Sequence, residues 1–207
     1  EYDLARLAYD IERSDCSLAG GKQDQYAATF GGFNFMEFEK DDQVIVNPLR
    51  IRRHIVNELQ SSTILFYTGA SRESAKIIND QIKSINNGGR SLDAMHEVKK
   101  SAYQIKASLL MGDIDRVAHE LKASWEAKKG TSKSISNQNI QDIENVVMNA
   151  GATSMKVSGA GGGGFIMIFV NPELKRTVIR SLESLESLDG RVIDFDFTNG
   201  GVISWTI

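Results

Sequence analysis

The feature that most constrains how this chain can fold is a run of small residues, Ser158-Gly159-Ala160-Gly161-Gly162-Gly163-Gly164, which leads straight into Phe165-Ile166-Met167-Ile168-Phe169-Val170. Glycine loses more backbone freedom on folding than any other residue, so a run this dense needs a reason. The apolar stretch after it is short and uninterrupted and reads as a buried strand. Two readings of the run stand side by side. It can be a tight link between Ser154-Met155-Lys156-Val157 and the next strand, with glycine supplying positive φ. It can also be a phosphate cradle, because consecutive amides without Cβ atoms close around an anion as a nest. Six small residues, Gly159 to Gly164, exceed the roughly two to five that close a hairpin, which favours the cradle. The pattern is neither G-x-G-x-x-G opening a helix nor G-x-x-x-x-G-K-[ST], so Rossmann and P-loop readings fail.

Composition narrows the partners. The 207 residues carry 24 basic and 27 acidic side chains, a net charge of −3, which argues against a nucleic-acid or anionic-membrane surface. Cys16 stands alone, which rules out an internal disulfide framework and fits a reducing, cytoplasmic compartment. No apolar run approaches the length of a membrane span, and no leader segment is visible. The chain opens on Glu1-Tyr2-Asp3-Leu4, inside a helical pattern and without an initiating Met. It is therefore expected to be cut from something longer, with a processed N-terminus as the alternative.

Leu4, Leu7, Ala8 and Ile11 share one helical face, predicting a helix from Tyr2 to about Ser14. Gly20-Gly21-Lys22-Gln23-Asp24-Gln25-Tyr26 follows as a glycine-led turn entering a short helix. Asp24 is either an ordinary cap or turn residue, or a carboxylate held among amides beside Lys22, suited to accepting a proton or orienting a hydroxyl. The phenylalanine-rich segment Thr29–Phe38 and Val44-Ile45-Val46 predict a hairpin turning at Asp41-Asp42. Thr63–Tyr67 reads as a strand. It runs through Thr68-Gly69-Ala70-Ser71-Arg72 into a helix with Ala75, Ile78, Ile82 and Ile85 on its inner face. That junction is an anion site gripped by Arg72, or a capped helix with a solvated arginine.

Helical spacing then continues from Leu92 to Leu109. Asp113 is expected to cap a helix with Ile114, Val117, Leu121 and Trp125 inward, and Ser136 one with Ile140, Ile143 and Val147 inward. His96 and His119 lack a partner at metal-ligand spacing. Pro172 opens a further helix, Val192–Phe197 alternates as a strand, Asn199-Gly200 signals a hairpin, and Val202–Ile207 closes as a strand. From Thr63 onward the elements predict a small sheet with helices on one face, an α+β layer.

Gly20–Ala28, Gly31-Gly32-Phe33-Asn34-Phe35, Tyr67–Arg72, Trp125–Lys129 and Lys156–Phe165 together resemble the GHMP kinase superfamily of galactokinase, homoserine kinase, mevalonate kinase and phosphomevalonate kinase. Within it, the Gly-Lys-Gln-Asp-Gln-Tyr segment is similar to that of heptose 7-phosphate kinases. The resemblance spans essentially the whole chain. It implies the tail of a ribosomal-protein-S5-like N-terminal domain over residues 1–58 and a ferredoxin-like C-terminal domain over residues 59–207.

The activity implied is transfer of a phosphoryl group from ATP, with Mg2+, to the C1 hydroxyl of a heptose 7-phosphate. Asp24 would act on the anomeric proton, with Lys22 beside it. Ser158, Gly159, Ala160, Gly161, Gly162 and Gly163 would line the phosphates of ATP. Gln25, Thr68, Gly69, Ser71 and Arg72 are assigned to the sugar, Arg72 by the anion-site argument above. The superfamily's main ATP loop, Pro-x-x-x-Gly-Leu-Gly-Ser-Ser, would precede Glu1, as would the Mg2+ ligands, so the segment alone is expected to be inactive. Another sugar such as L-fucose, and a catalytically silent sugar-binding protein on the same scaffold, remain competing readings; a homodimer is left open.

Overall fold

In the computed structural model the described residues are 1–69, 74–185 and 189–205. Backbone contacts divide the chain into two compact units, residues 1–52 with 196–207, and residues 53–195.

The first unit begins with α1 (Tyr2–Asp10), which widens into a π-helical turn over Ile11–Asp15 rather than continuing as a regular helix to Ser14. The i→i+5 bond from the Cys16 amide to the Ile11 carbonyl, 2.9 Å, closes that turn. Helix α2 covers Gln23–Phe30. Strands β1 (Asn34–Phe38) and β2 (Val44–Pro48) then form the predicted antiparallel hairpin, with Asn34 opposite Pro48 and Phe38 opposite Val44. Asp41 and Asp42, at φ 57° and 66°, supply its left-handed turn, a conformation Asp tolerates better than most residues. Ala5, Tyr26 and Val46 make the small core.

The closing segment departs from the expected strand and hairpin. Beyond Ile193 the described residues form no further strand. Instead the chain crosses the end of α2: the Val202 amide donates to Thr29 O at 3.1 Å and the Gly32 amide to Thr198 O at 3.0 Å. A Cβ on Gly201 would lie 1.9 Å from Thr29 O, so glycine is needed where these two backbones touch, while Asn199-Gly200, expected as a hairpin turn, joins no strands among the described residues. Residues 206 and 207 of the expected strand lie outside the described residues.

The second unit contains α3 (Arg53–Ser61), β3 (Thr63–Tyr67), α4 (Ser74–Asn86), α5 (Arg90–Met111), α6 (Ile114–Lys129), α7 (Gln138–Asn149), β4 (Ala152–Val157), β5 (Phe165–Val170), α8 (Lys175–Glu183) and β6 (Arg191–Ile193). The strands pair antiparallel in the order β4-β5-β3-β6. A strand, a helical crossover, two hairpin-linked strands, a helix and a last strand make the split β-α-β-β-α-β arrangement of ferredoxin-like folds. Alternation along the strands sends Ile64, Phe66, Met155, Val157, Ile166 and Ile168 into a core closed by Ile143 and Val147 of α7 and Val178 and Leu182 of α8.

Helix starts follow side-chain chemistry. Asp113 caps α6 by accepting from the Arg116 amide at 2.9 Å, as predicted. Helix α7 is capped by Asn137, which accepts from Ile140 at 3.1 Å, and not by Ser136. On α4 it is Ile77 that enters the core while Ile82 is exposed, because the adjacent isoleucines 77 and 78 leave the inner face ambiguous by one residue.

Candidate functional site

Two clusters carry the chemistry the sequence pointed to, one in each unit. In the first, the turn Cys16–Lys22 has little internal structure, and Arg13 holds it from the π-helical segment. Its guanidinium donates to the carbonyls of Leu18, Ala19 and Gly21, each at 3.2 Å. A Cβ on Gly20 would lie 2.4 Å from the guanidinium carbon, so glycine there lets the cation sit inside the turn. Arg13 also faces Glu12 at 3.4 Å. Glu12 in turn accepts from Gln25 Nε2 at 2.8 Å.

Gln25, read as a sugar contact, is buried and ties α2 to the π turn, its Oε1 without a partner among the described residues. Lys22 is drawn to Asp42 at the hairpin tip, with its ammonium 5.2 Å from the Tyr9 ring centroid. The hydrogen bond from Lys22, and then its charge, hold the Asp42 carboxyl below its usual range. Asp24 is exposed in the first turn of α2, where the helix dipole favours an anion. Among the described residues it makes no ion pair and no side-chain hydrogen bond.

In the second unit the glycine run links β4 to β5. Gly159, Gly161, Gly162, Gly163 and Gly164 all have positive φ, reaching 155° at Gly163, a conformation closed to other residues. The loop is pinned at defined points. The Ser158 amide donates to Phe165 O at 2.8 Å. The Gly162 amide donates to Ile135 O at 2.9 Å, and Asn137 Nδ2 donates to Gly162 O at 2.8 Å. Thr68 closes the far end: its amide donates to Gly164 O at 2.9 Å, and its Oγ1 accepts from the Gly164 amide at 3.0 Å. Lys128 donates to Gly159 O.

Among the described residues this leaves the amides of Gly159, Ala160, Gly161 and Gly163 without an acceptor. Four unpaired amides on one loop, with an ammonium on it, suit a phosphate. Lys156, at the end of β4, donates to Ser124 Oγ at 3.0 Å, and burial pushes its ammonium below the usual lysine range.

Thr68, read from the sequence as a sugar contact, is buried against the glycine loop, and Gly69 follows it with φ 74°. Ser71 and Arg72 lie outside the described residues. Among the described residues no group of three or more His, Cys, Asp and Glu could hold a metal ion, and no helix is long and apolar enough to cross a membrane. Sequence reasoning missed Arg13, Lys128, Ile135 and Asn137. The first two read as ordinary surface cations, and the others act through backbone or amide groups that no residue pattern announces.

A loop built this way, on a split β-α-β-β-α-β sheet, matches a known class. Residues 98–186 fit the family model described as GHMP kinases C terminal. Along all 207 residues it is 46% identical to a D-glycero-alpha-D-manno-heptose 7-phosphate kinase of Campylobacter jejuni, covering 60% of that protein. It superposes over its whole length on the crystal structure of a D-glycero-D-manno-heptose 1-phosphate kinase from Bacteroides thetaiotaomicron, with a TM-score of 0.74, 41% identity and 55% of that chain covered. A galactokinase from Lactococcus lactis complexed with galactose shares the fold at 14% identity and a TM-score of 0.67, over 95% of this chain and 59% of that one. The chain thus spans little more than half the length of these relatives.

Proposed function

We propose that this chain is the larger part of an ATP-dependent kinase that phosphorylates the anomeric C1 hydroxyl of a heptose 7-phosphate. The observation that carries the phosphoryl half of this reading is the β4–β5 loop with its four unpartnered amides. The sugar half rests on the 46% identity to a heptose 7-phosphate kinase, sustained from end to end.

Bound Mg-ATP would supply the phosphoryl group. The residues of this chain then have separable tasks. The loop from Ser158 to Gly163 holds phosphate oxygens through fixed amides, which need no reorganisation as charge develops. Lys128 adds a cation at the loop's first glycine. Asp24 accepts the proton of the anomeric hydroxyl as that oxygen becomes the nucleophile. An anomeric hydroxyl is more acidic than a simple alcohol, so an exposed carboxylate suffices. Phosphoryl transfer depends mostly on such positioning and charge stabilisation.

Lys22, paired to Asp42 in this structure, is assigned to the transferring phosphoryl or to Asp24 once substrate arrives. Gln25, Thr68, Gly69, Ser71 and Arg72 are assigned to the sugar side, with Thr68 also fixing the loop. We extend the proposal to a cytoplasmic enzyme built from the remainder of an N-terminal domain and a C-terminal domain. L-Fucose is the weaker alternative substrate, supported by 21% identity over 93% of this chain to a bifunctional fucokinase/GDP-fucose pyrophosphorylase of Arabidopsis thaliana.

The test is steady-state kinetics of Asp24→Asn in the full protein. Loss of a general base is expected to lower kcat about 10²- to 10⁴-fold with KM for the sugar little changed. Equal losses in kcat and in sugar binding would assign Asp24 a structural role instead.

A further inference from the structure

The first turn of α2 carries Asp24, and the helix does little to hold that turn by itself. No side chain caps it. Its first backbone bond, from the Tyr26 amide to Lys22 O, is long at 3.3 Å. The rings of Tyr26 and Phe30, stacked with centroids 6.3 Å apart, pack the body of the helix against the small core. Ahead of Tyr26, two side chains reach from the turn to other elements. Lys22 ends on Asp42, whose side chain is 59% exposed, and water weakens such a pair. Gln25 points inward, 5% exposed, and its Nε2 donates to Glu12 Oε2 at 2.8 Å. A hydrogen bond from a buried amide to a carboxylate is of the stronger kind.

Glu12 is itself held for this task. It lies in the π-helical turn, where its carbonyl accepts from the Leu18 amide at 3.0 Å and its carboxylate lies 3.4 Å from Arg13. Arg13 in turn grips the carbonyls of Leu18, Ala19 and Gly21 on the approach to α2. An ionised carboxylate only accepts, so it fixes the NH2 end of Gln25 toward itself. Successive residues of a helix point about 100° apart, so drawing Gln25 inward turns Asp24 out to solvent.

We propose that Glu12 is a positioning residue for Asp24, acting through the side-chain amide of Gln25. What Asp24 then does rests on the kinase reading above; the tether does not. A general base must sit within hydrogen-bond reach of the proton it takes, and a misplacement of about 1 Å costs roughly 10²-fold in rate.

The experiment compares Glu12→Ala with Glu12→Gln in the full protein, each alone and combined with Asp24→Asn. Glu12 is 47% exposed, so the fold is expected to survive, checked by the thermal midpoint. The alanine variant is expected to lower kcat about 10- to 10²-fold, with KM for heptose 7-phosphate and for ATP little changed. Glutamine keeps an acceptor for Gln25 Nε2 and is expected to recover most of that loss. With Asp24→Asn already present, Glu12→Ala is expected to cost nothing further, because residues acting as one unit are not additive. Losses that multiply in the double variant, an unchanged kcat in Glu12→Ala, or a glutamine variant no better than alanine would each overturn the proposal. Amide exchange at Tyr26, the first bond of α2, reads the tether without turnover and is expected to quicken about tenfold in Glu12→Ala. A full wild-type protein that turns over no heptose 7-phosphate sinks the kinase reading alone; unchanged exchange at Tyr26 sinks the tether whatever the activity.

Discussion

Gly161→Ala probes the point where the glycine loop meets the rest of the second unit. Gly161 has φ 111°, outside even the left-handed basin that other residues visit, and holding a side chain there costs about 1–3 kcal/mol. An added Cβ would also lie 2.9 Å from Ile135 O and 3.2 Å from its Cα. Those are backbone atoms, so no rotamer change relieves the contact. Moving the turn away breaks the 2.9 Å bond from the Gly162 amide to Ile135 O and strands two buried polar groups, about 1–3 kcal/mol more.

The expected destabilisation is about 2–6 kcal/mol. Gly159→Ala is the control: its φ of 70° is left-handed, but a Cβ there meets nothing within 4 Å, so it should cost only about 1–2 kcal/mol. Urea unfolding followed by the fluorescence of Trp125, 1% exposed in the core, reads the difference. With m of about 2 kcal/mol/M, the Gly161 variant should lose roughly 1–3 M in its midpoint and the control about 0.5–1 M. Equal midpoints for the two variants would refute the claim that close approach, rather than φ alone, demands glycine at Gly161.

Other outcomes follow from the same geometry. Arg13→Ala should release the turn before α2, raising amide exchange from Leu18 to Lys22 and costing about 1–3 kcal/mol; unchanged exchange would remove its positioning role. Lys156 has a folded-state pKa below the usual 10.5 because burial disfavours its charge, so its protonated form costs stability at neutral pH, and that cost fades as pH rises through the folded value. Lys156→Met should therefore raise the thermal midpoint at pH 7, by roughly 2–4 °C per kcal/mol gained, and flatten the alkaline rise; a lowered midpoint would contradict this. Asp42 works in the opposite sense: its stabilising pair with Lys22 is complete above the ordinary value of 3.8 and lost as pH falls below it. Its carboxyl carbon should titrate below 3.8 by NMR and return toward it in Lys22→Met.

Much of the second unit was legible wherever a helix or strand keeps a single apolar period. The faces of α6 and α7 and the strand after the glycine run could be read directly from their apolar spacing. The hairpin of the first unit was equally plain, since two aspartates marked its turn. What escaped was set by tertiary contact. The clean alternation after Val192 breaks off at Ile193, because the chain leaves the sheet to bond with the end of α2. The two candidate clusters divide the same way: the glycine loop and the segment around Asp24 stand out by motif, while Arg13 and Lys128 act on carbonyls that only folding brings within reach.

The most direct trial of the kinase account is phosphorus NMR of the full protein incubated with Mg-ATP and heptose 7-phosphate. The account predicts a second sugar-phosphate resonance, split by the anomeric proton, that grows as ADP forms and grows about 10²- to 10⁴-fold more slowly with Asp24→Asn. ATP consumed without that resonance, or the same resonance at undiminished rate from the Asp24 variant, would contradict it.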